Sequence, residues 1–245
     1  MDSSVISKEG KFAVIIPVYN HGQAVAAVVE KAMRLSLPVF VVDDGSTDST
    51  RENLAPISGI HLLVHDENRG KGAALLTGFA EASKLADWAI TMDGDGQHHP
   101  EDALNLINAI PPGQRPIMVG MRTGMAAKHV PWTSQFGRKL SNFWVYVSGG
   151  PCMRDSQSGF RIYPLPEAVS LGVVARRYQF EVEILVRARW NGIPVMEAPV
   201  KVNYAVAGER ISHFRPFVDF MRNSGTFTRL IFRRVFSWLC PKKME

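Results

Sequence analysis

Two carboxylates one residue apart, Asp93 and Asp95, stand in the segment Asp93-Gly94-Asp95-Gly96-Gln97, directly behind the apolar run at 88–92. Carboxylate and amide oxygens this close together suit a hard divalent cation, Mg²⁺ or Mn²⁺, which takes oxygen ligands and shares itself with substrate phosphates. An isolated Asp-x-Asp is usually a solvated turn. Here a second acidic pair, Asp43-Asp44, also follows an apolar run (39–42), and that repetition favours a metal role. In Asp43-Asp44-Gly45-Ser46-Thr47-Asp48 the second aspartate can accept from a base or a ribose. Gly45 and the Ser-Thr-Asp run shape the turn and cap the next helix.

Other segments exclude chemistry. Gly70-Lys71-Gly72 fails the Walker pattern, since no Ser or Thr follows the lysine; its glycines fit a tight turn into a helix, and Lys71 stays a candidate to face a nucleotide. No Gly-x-Gly-x-x-Gly follows the first strand, which argues against a dinucleotide oxidoreductase. His98-His99 has no further ligands at metal-site spacing, so zinc is not expected.

The elements that must position these residues alternate. Apolar runs at 11–16 (ending at Pro17), 39–42, 61–64, 88–92 and 116–122 read as strands. Segments 22–36, 71–86 and 178–191 read as helices, and 195–202 as extended. Strands that are apolar throughout, alternating with helices, predict a parallel sheet covered on both faces, with ligands outside the carboxyl ends of its strands. Tyr19-Asn20, Asp43-Asp44 and Asp93-Gly94-Asp95 all fall at those ends. The region 123–150 carries few clear signals.

The chain has 245 residues, 46% hydrophobic and 21% charged, enough for a full α/β core. Cys152 and Cys240 lie far apart, which fits a reducing cytoplasm, and the polar N-terminus lacks the layout of a signal peptide. From Lys201 to Glu245 there are nine Lys/Arg against three Asp/Glu, whereas the remainder carries 19 against 20. A basic tail on a near-neutral body suggests an anionic surface. At 100° per residue Phe217, Phe220, Met221, Phe227, Ile231, Phe232, Val235, Trp238 and Leu239 share a broad sector, with Leu230 out of place and Gly225 a potential break. The expectation is an in-plane helix on the cytoplasmic membrane face, the alternative being a face packed on the catalytic domain or a second subunit. Nucleic acid is not the expected partner, because no base-stacking aromatics sit on a polar sheet.

IPVYN at 16–20, VVDDGSTDST at 41–50, NRGKGAAL at 68–75, MDGDGQHHPED at 92–102, the segment Asp155-Ser156-Gln157-Ser158-Gly159-Phe160-Arg161 and the segment Tyr178-Gln179-Phe180-Glu181-Val182-Glu183 together resemble family 2 glycosyltransferases. The likeness is strongest to the branch of dolichyl-phosphate mannose and glucose synthases. The resemblance implies a GT-A (Rossmann-like) domain over residues 1–213 with a helical tail at 214–245, a GDP- or UDP-linked sugar donor, a divalent cation and inversion. It places Pro17, Tyr19 and Asp44 on the nucleotide, with Asn20 and Lys71 in the same set, Asp93 on the donor, Asp95 and Gln97 on the metal, and Arg122 and Arg138 facing phosphates. The branch's Gly-Glu-Ser-Lys segment is replaced by Gly208-Glu209-Arg210-Ile211-Ser212-His213, so Arg210 or His213 would stand in for the lysine.

On this reading the acceptor is a membrane lipid, polyprenyl phosphate first, with a lipid or glycan hydroxyl as the alternative. A phosphate monoester is largely dianionic at neutral pH and needs no base, whereas a hydroxyl would need one such as Asp155, which equally suits a structural hydrogen bond. A nucleotidyltransferase would need an Arg-Lys-bearing glycine-rich loop that is missing near the N-terminus, and a nucleic-acid-binding module would not interleave the arginines of its tail with a broad apolar face.

Overall fold

A computed structural model of the protein describes residues 10–123, 132–201 and 216–239. Seven strands form one sheet: β1 (Phe12–Val18), β2 (Val39–Asp43), β3 (Ile60–Val64), β4 (Trp88–Thr91), β5 (Ile117–Arg122), β6 (Arg161–Pro164) and β7 (Val195–Val200), in the order β3-β2-β1-β4-β6-β5-β7. Among the described residues eight helices accompany them: α1 (Gly22–Met33), α2 (Thr50–Leu54), α3 (Lys71–Ala82), α4 (Asp102–Asn108), α5 (Trp132–Val147), α6 (Leu165–Ser170), α7 (Phe180–Trp190) and α8 (Pro216–Leu239).

Side-chain alternation makes the two faces. Along β1, Phe12, Val14, Ile16 and Val18 enter the core beneath α1 and α4, while Ala13 and Ile15 enter the opposite core with Leu75 and Phe79 of α3 and Phe180 and Ile184 of α7. α1 contributes Val25, Val28, Val29 and Ala32, the spacing of one helical face. Each fully buried aliphatic side chain here contributes about 1.5–3 kcal/mol. β3 is one of the two edge strands and leaves Leu62 and Val64 exposed.

The expected all-parallel sheet needs one correction. β1 pairs in parallel with β2 and β4, but β6 runs antiparallel to both β4 and β5. The chain reaches β6 by the segment after α5 and enters from the opposite end. β1 also continues beyond the expected boundary: Pro17 lies inside it, opposite Val42, because proline costs a strand only its donor near the end. The region with few signals contains the 16-residue α5.

The tail forms a helix, as expected, and it is unbroken at Gly225. Leu230, out of place on the expected face, is buried at 1% with Phe227, against Val145, Val182, Val186 and Trp190. Arg229 donates to Glu183 of α7 at 2.6 Å and Arg234 to the Val147 carbonyl at 3.0 Å. The helix therefore packs on the catalytic body along one face, while Phe232, Val235 and Phe236 remain exposed.

Candidate active site

The carboxyl ends of β1, β2 and β4 meet at one edge of the sheet, and each brings a loop. Asn20, at φ 54°, ties the first to the second: its backbone N–H donates to Ser46 Oγ at 2.9 Å and its Oδ1 accepts from Thr47 N at 2.8 Å. Pro17 lies in the strand and half-buried Tyr19 just beyond it. Asp43 accepts from Ser46 N and from Arg51 Nε. Asp44 is 2% exposed and accepts from His65 Nδ1 at 2.7 Å, Arg69 N at 3.0 Å and Gly70 N at 2.7 Å. A buried carboxylate needs such donors. Here it fastens the 68–70 loop, and so the start of α3, to the end of β2. His65, with Nε2 3.0 Å from Thr77 Oγ1, was not foreseen; the signal was a lone histidine ending an apolar run.

That fastening delivers Lys71. Its ammonium lies between Asp93 Oδ1 and Glu181 Oε1. Burial alone would lower its pKa, but the two carboxylates outweigh that and raise it above the ordinary 10.5. Burial likewise pushes Asp93 up, and Lys71, His98 and Arg122 outweigh it, holding the carboxyl at about 2. Glu181 stands with Glu183 in the first turn of α7, and its buried carboxylate needs a cation, which Lys71 supplies.

Gly159 closes over this pair. A Cβ there would lie 2.6 Å from Asp93 Oδ2 and 2.7 Å from Lys71 Nζ, so any other residue would force the Asp93 carboxylate and the Lys71 ammonium to shift. Thr91 Oγ1 holds it by donating to the Gly159 carbonyl at 2.7 Å. Arg161 is fully buried and donates to the carbonyls of Ser156, Ser158 and Glu181, binding the loop to the start of α7. The motif arginine is thus structural.

Asp95 and Gln97 converge beside Asp93. Asp95 Oδ1 accepts from Gln97 N at 3.1 Å and Oδ2 from Gln97 Nε2 at 2.6 Å, and both side chains are half-buried. His98 packs on the Phe160 ring at 5.1 Å and accepts from Asp93 N at 3.3 Å. Burial pushes its pKa down against the pull of Asp93 and Asp95. The carboxylate of Asp95 and the amide oxygen of Gln97 are the donor type that a hard divalent cation takes, and two residues alone make no closed cage. Among the described residues no group of three His, Cys, Asp or Glu side chains makes a fuller metal site.

Arg122 and Asp155 form a bidentate pair, Nε to Oδ2 at 2.7 Å and Nη2 to Oδ1 at 2.8 Å, with Arg122 N also donating to Oδ2. Asp155 is fully buried. Arg138 sits half-buried on α5, and no hydrogen bond or ion pair joins it to the other candidates among the described residues. Arg210 and His213 lie outside the described residues.

The chain is similar to known proteins. The glycosyl transferase family 2 profile matches residues 13–162. The chain is 30% identical over 213 residues to UDP-N-acetylglucosamine–dolichyl-phosphate N-acetylglucosaminyltransferase of Methanococcus voltae, covering 78% of this chain and 85% of that one. It is 28% identical over 219 residues to polyprenol monophosphomannose synthase of Mycolicibacterium smegmatis, covering 81% and 80%. The fold is that of glucosyl-3-phosphoglycerate synthase from Mycobacterium tuberculosis, crystallised with Mn²⁺, UDP and phosphoglyceric acid: TM-score 0.68, 19% identity, 94% of this chain and 80% of that one. With the matched profile spanning the acidic turns of β2 and β4 and the Gly159 loop, the chain belongs to glycosyl transferase family 2.

Proposed function

We propose that this protein transfers a sugar, with inversion, from a nucleoside diphosphate sugar to a polyprenyl phosphate at a membrane surface. The observation that carries the choice of acceptor is the Arg122–Asp155 pair. A hydroxyl acceptor needs a positioned base, and the base candidate Asp155 is buried and occupied by both arms of a guanidinium. Asp93 is likewise ion-paired with Lys71, and Glu181 shares that lysine. A phosphate monoester, with its second pKa near ~6, arrives already ionised and needs only to be positioned. The named activities of the Methanococcus and Mycolicibacterium relatives agree with this acceptor class.

In the mechanism, Pro17, Tyr19, Asn20 and Asp44 border the nucleoside pocket at the ends of β1 and β2, and Asp93 orients the donor through the charge it shares with Lys71. Asp95 and Gln97 would hold the divalent cation, which when bound supplies Lewis-acid stabilisation of the leaving diphosphate. Arg138, a fork not committed to a described carboxylate, faces phosphate oxygens, and Arg210, outside the described residues, is assigned to the donor in place of the branch's lysine. Arg122 acts by holding Asp155 and the 155–159 loop in place. The donor's base and sugar are open to assay with UDP- and GDP-linked sugars.

Residues 1–213 serve as the catalytic domain and 214–245 as the membrane-facing tail. Phe232, Val235 and Phe236 of α8 lie exposed, as do Phe143 and Tyr146 on α5, the helix it packs against, with Arg233 alongside. Apolar side chains flanked by cations suit an anionic bilayer interface. Among the described residues no helix is long and apolar enough to cross a membrane. The test is incorporation of radiolabelled sugar into solvent-extractable lipid, using the purified protein, Mn²⁺ and polyprenyl phosphate. Transfer from at least one donor is expected; no transfer to any phosphate acceptor from UDP- or GDP-linked sugars would overturn the reading.

A further inference from the structure

A cleft of about 350 Å³ opens between the 175–179 segment and α8, lined chiefly by Arg176, Arg177, Gln179, Gly225, Thr226 and Arg229. None of these residues belongs to the donor or metal set. Its lining is rich in donors and has no carboxylate. Arg176 is exposed, and its guanidinium has no hydrogen-bond or ion-pair partner among the described residues. Among the described residues Arg177 Nη1 donates to the neutral Asn68 Oδ1, at 3.2 Å, so no described carboxylate offsets its charge. Arg229 shares the single carboxylate of Glu183 with Arg187, leaving that neighbourhood positive.

Gln179 points the same way. It is 5% exposed, and its Nε2 has no hydrogen-bond partner among the described residues. A desolvated amide donor without an acceptor is destabilising, whereas beside three guanidiniums it completes a set of N–H groups with one common complement. That complement is a compact ligand made only of acceptors, and guanidinium forks match phosphate oxygens. Gly225 contributes no side chain, so α8 leaves room for the group at this point.

We propose that this cleft is a second oxyanion site, separate from the donor site, that takes a terminal phosphate group and clamps α8 onto the catalytic body. The phosphate can come from a lipid headgroup or from a soluble phosphate; both present the same oxygens.

The full chain, alone and with UDP and Mg²⁺ filling the donor site, is titrated calorimetrically with inorganic phosphate. In parallel it is sedimented with phosphatidylcholine vesicles with and without phosphatidic acid. Two variants are compared: Arg176→Ala, at an exposed unpaired side chain, and Gln179→Leu, which leaves net charge unchanged and so separates a built site from diffuse attraction. Gln179→Leu should fold at least as stably, since it removes the unpaired donor.

The expected result is binding that persists with UDP present and weakens about tenfold in each variant. Weakening in the phosphate titration identifies a soluble source, and weakening confined to phosphatidic acid vesicles identifies a headgroup. Phosphate binding abolished by UDP, or both probes bound equally by Gln179→Leu and the parent, would overturn the site.

Discussion

Arg122 grips Asp155 with both arms of its guanidinium, at 2.7 and 2.8 Å, where the carboxylate has no exposure to water and the arginine is 20% exposed. The pair joins the end of β5 to the loop that carries Gly159. Removing the arginine strands a buried charge. Arg122→Ala is expected to destabilise the fold by about 3 kcal/mol, the lower end for a broken buried pair because the arginine is partly hydrated. Urea denaturation checks this, and Arg122→Ala with Asp155→Asn should recover part of the loss. Equal stability of the single and double variants would show that the pair is not coupled.

If Asp155 is a clamp and not a base, pH tells the two apart. With polyprenyl phosphate, kcat/KM should rise through about pH 6 with the acceptor's second ionisation and then stay level. Asp155→Asn should lower the rate and leave that midpoint in place. A midpoint that disappears in Asp155→Asn would identify the carboxylate as the base.

Gly159 stands against the Lys71–Asp93 pair with no room for a methyl group. Gly159→Ala should displace Asp93 from the donor and lower kcat by about 10²-fold, the usual cost of a misplacement near 1 Å. Gly137→Ala on α5, where an added Cβ meets nothing within 4 Å, is the matched control and should be neutral or slightly stabilising. Similar kinetics for the two variants would remove the steric argument.

Much of this edge was legible in the chain because the strands that build it are short, wholly apolar runs ending in acidic turns: the 39–43 and 88–91 strands lie within a residue of their expected bounds. β6 was not, since its four residues begin with a buried arginine and end in a proline, Arg161–Pro164, and so lack the apolar run that marks the other strands. α5 escaped because its sequence mixes polar residues with large aromatics, some of which stay exposed. The partnership of Lys71 with Glu181 spans 110 positions, a separation that no local pattern reveals.

Asp95 makes its side-chain hydrogen bonds within its own turn, to Gln97. Asp95→Asn should therefore leave thermal stability near that of the parent while lowering transfer by about 10²-fold or more, as expected when a cation is lost from a leaving diphosphate. EDTA should reproduce the loss in the parent, and added Mn²⁺ should reverse it. Full activity in excess EDTA would rule out the metal role.

Deleting the tail is a poor test of membrane contact, because Phe227 and Leu230 complete a core with Val145, Val182 and Val186. Phe232→Asp with Phe236→Asp changes only exposed side chains, 58% and 61% accessible. Sedimentation with anionic vesicles should fall about tenfold or more, with the melting temperature unchanged. Undiminished sedimentation would place the membrane contact elsewhere.

On the proposed function the acceptor brings its own charge, and the protein supplies position and no base. Polyprenyl phosphate and the matching polyprenol, presented together in one mixed-micelle assay with the preferred nucleotide sugar and Mn²⁺, test it directly. Glycosylation of the phosphate is expected, with the alcohol unreacted even when in excess. Glycosylated alcohol beside unreacted phosphate would contradict it and return the role of base to a side chain.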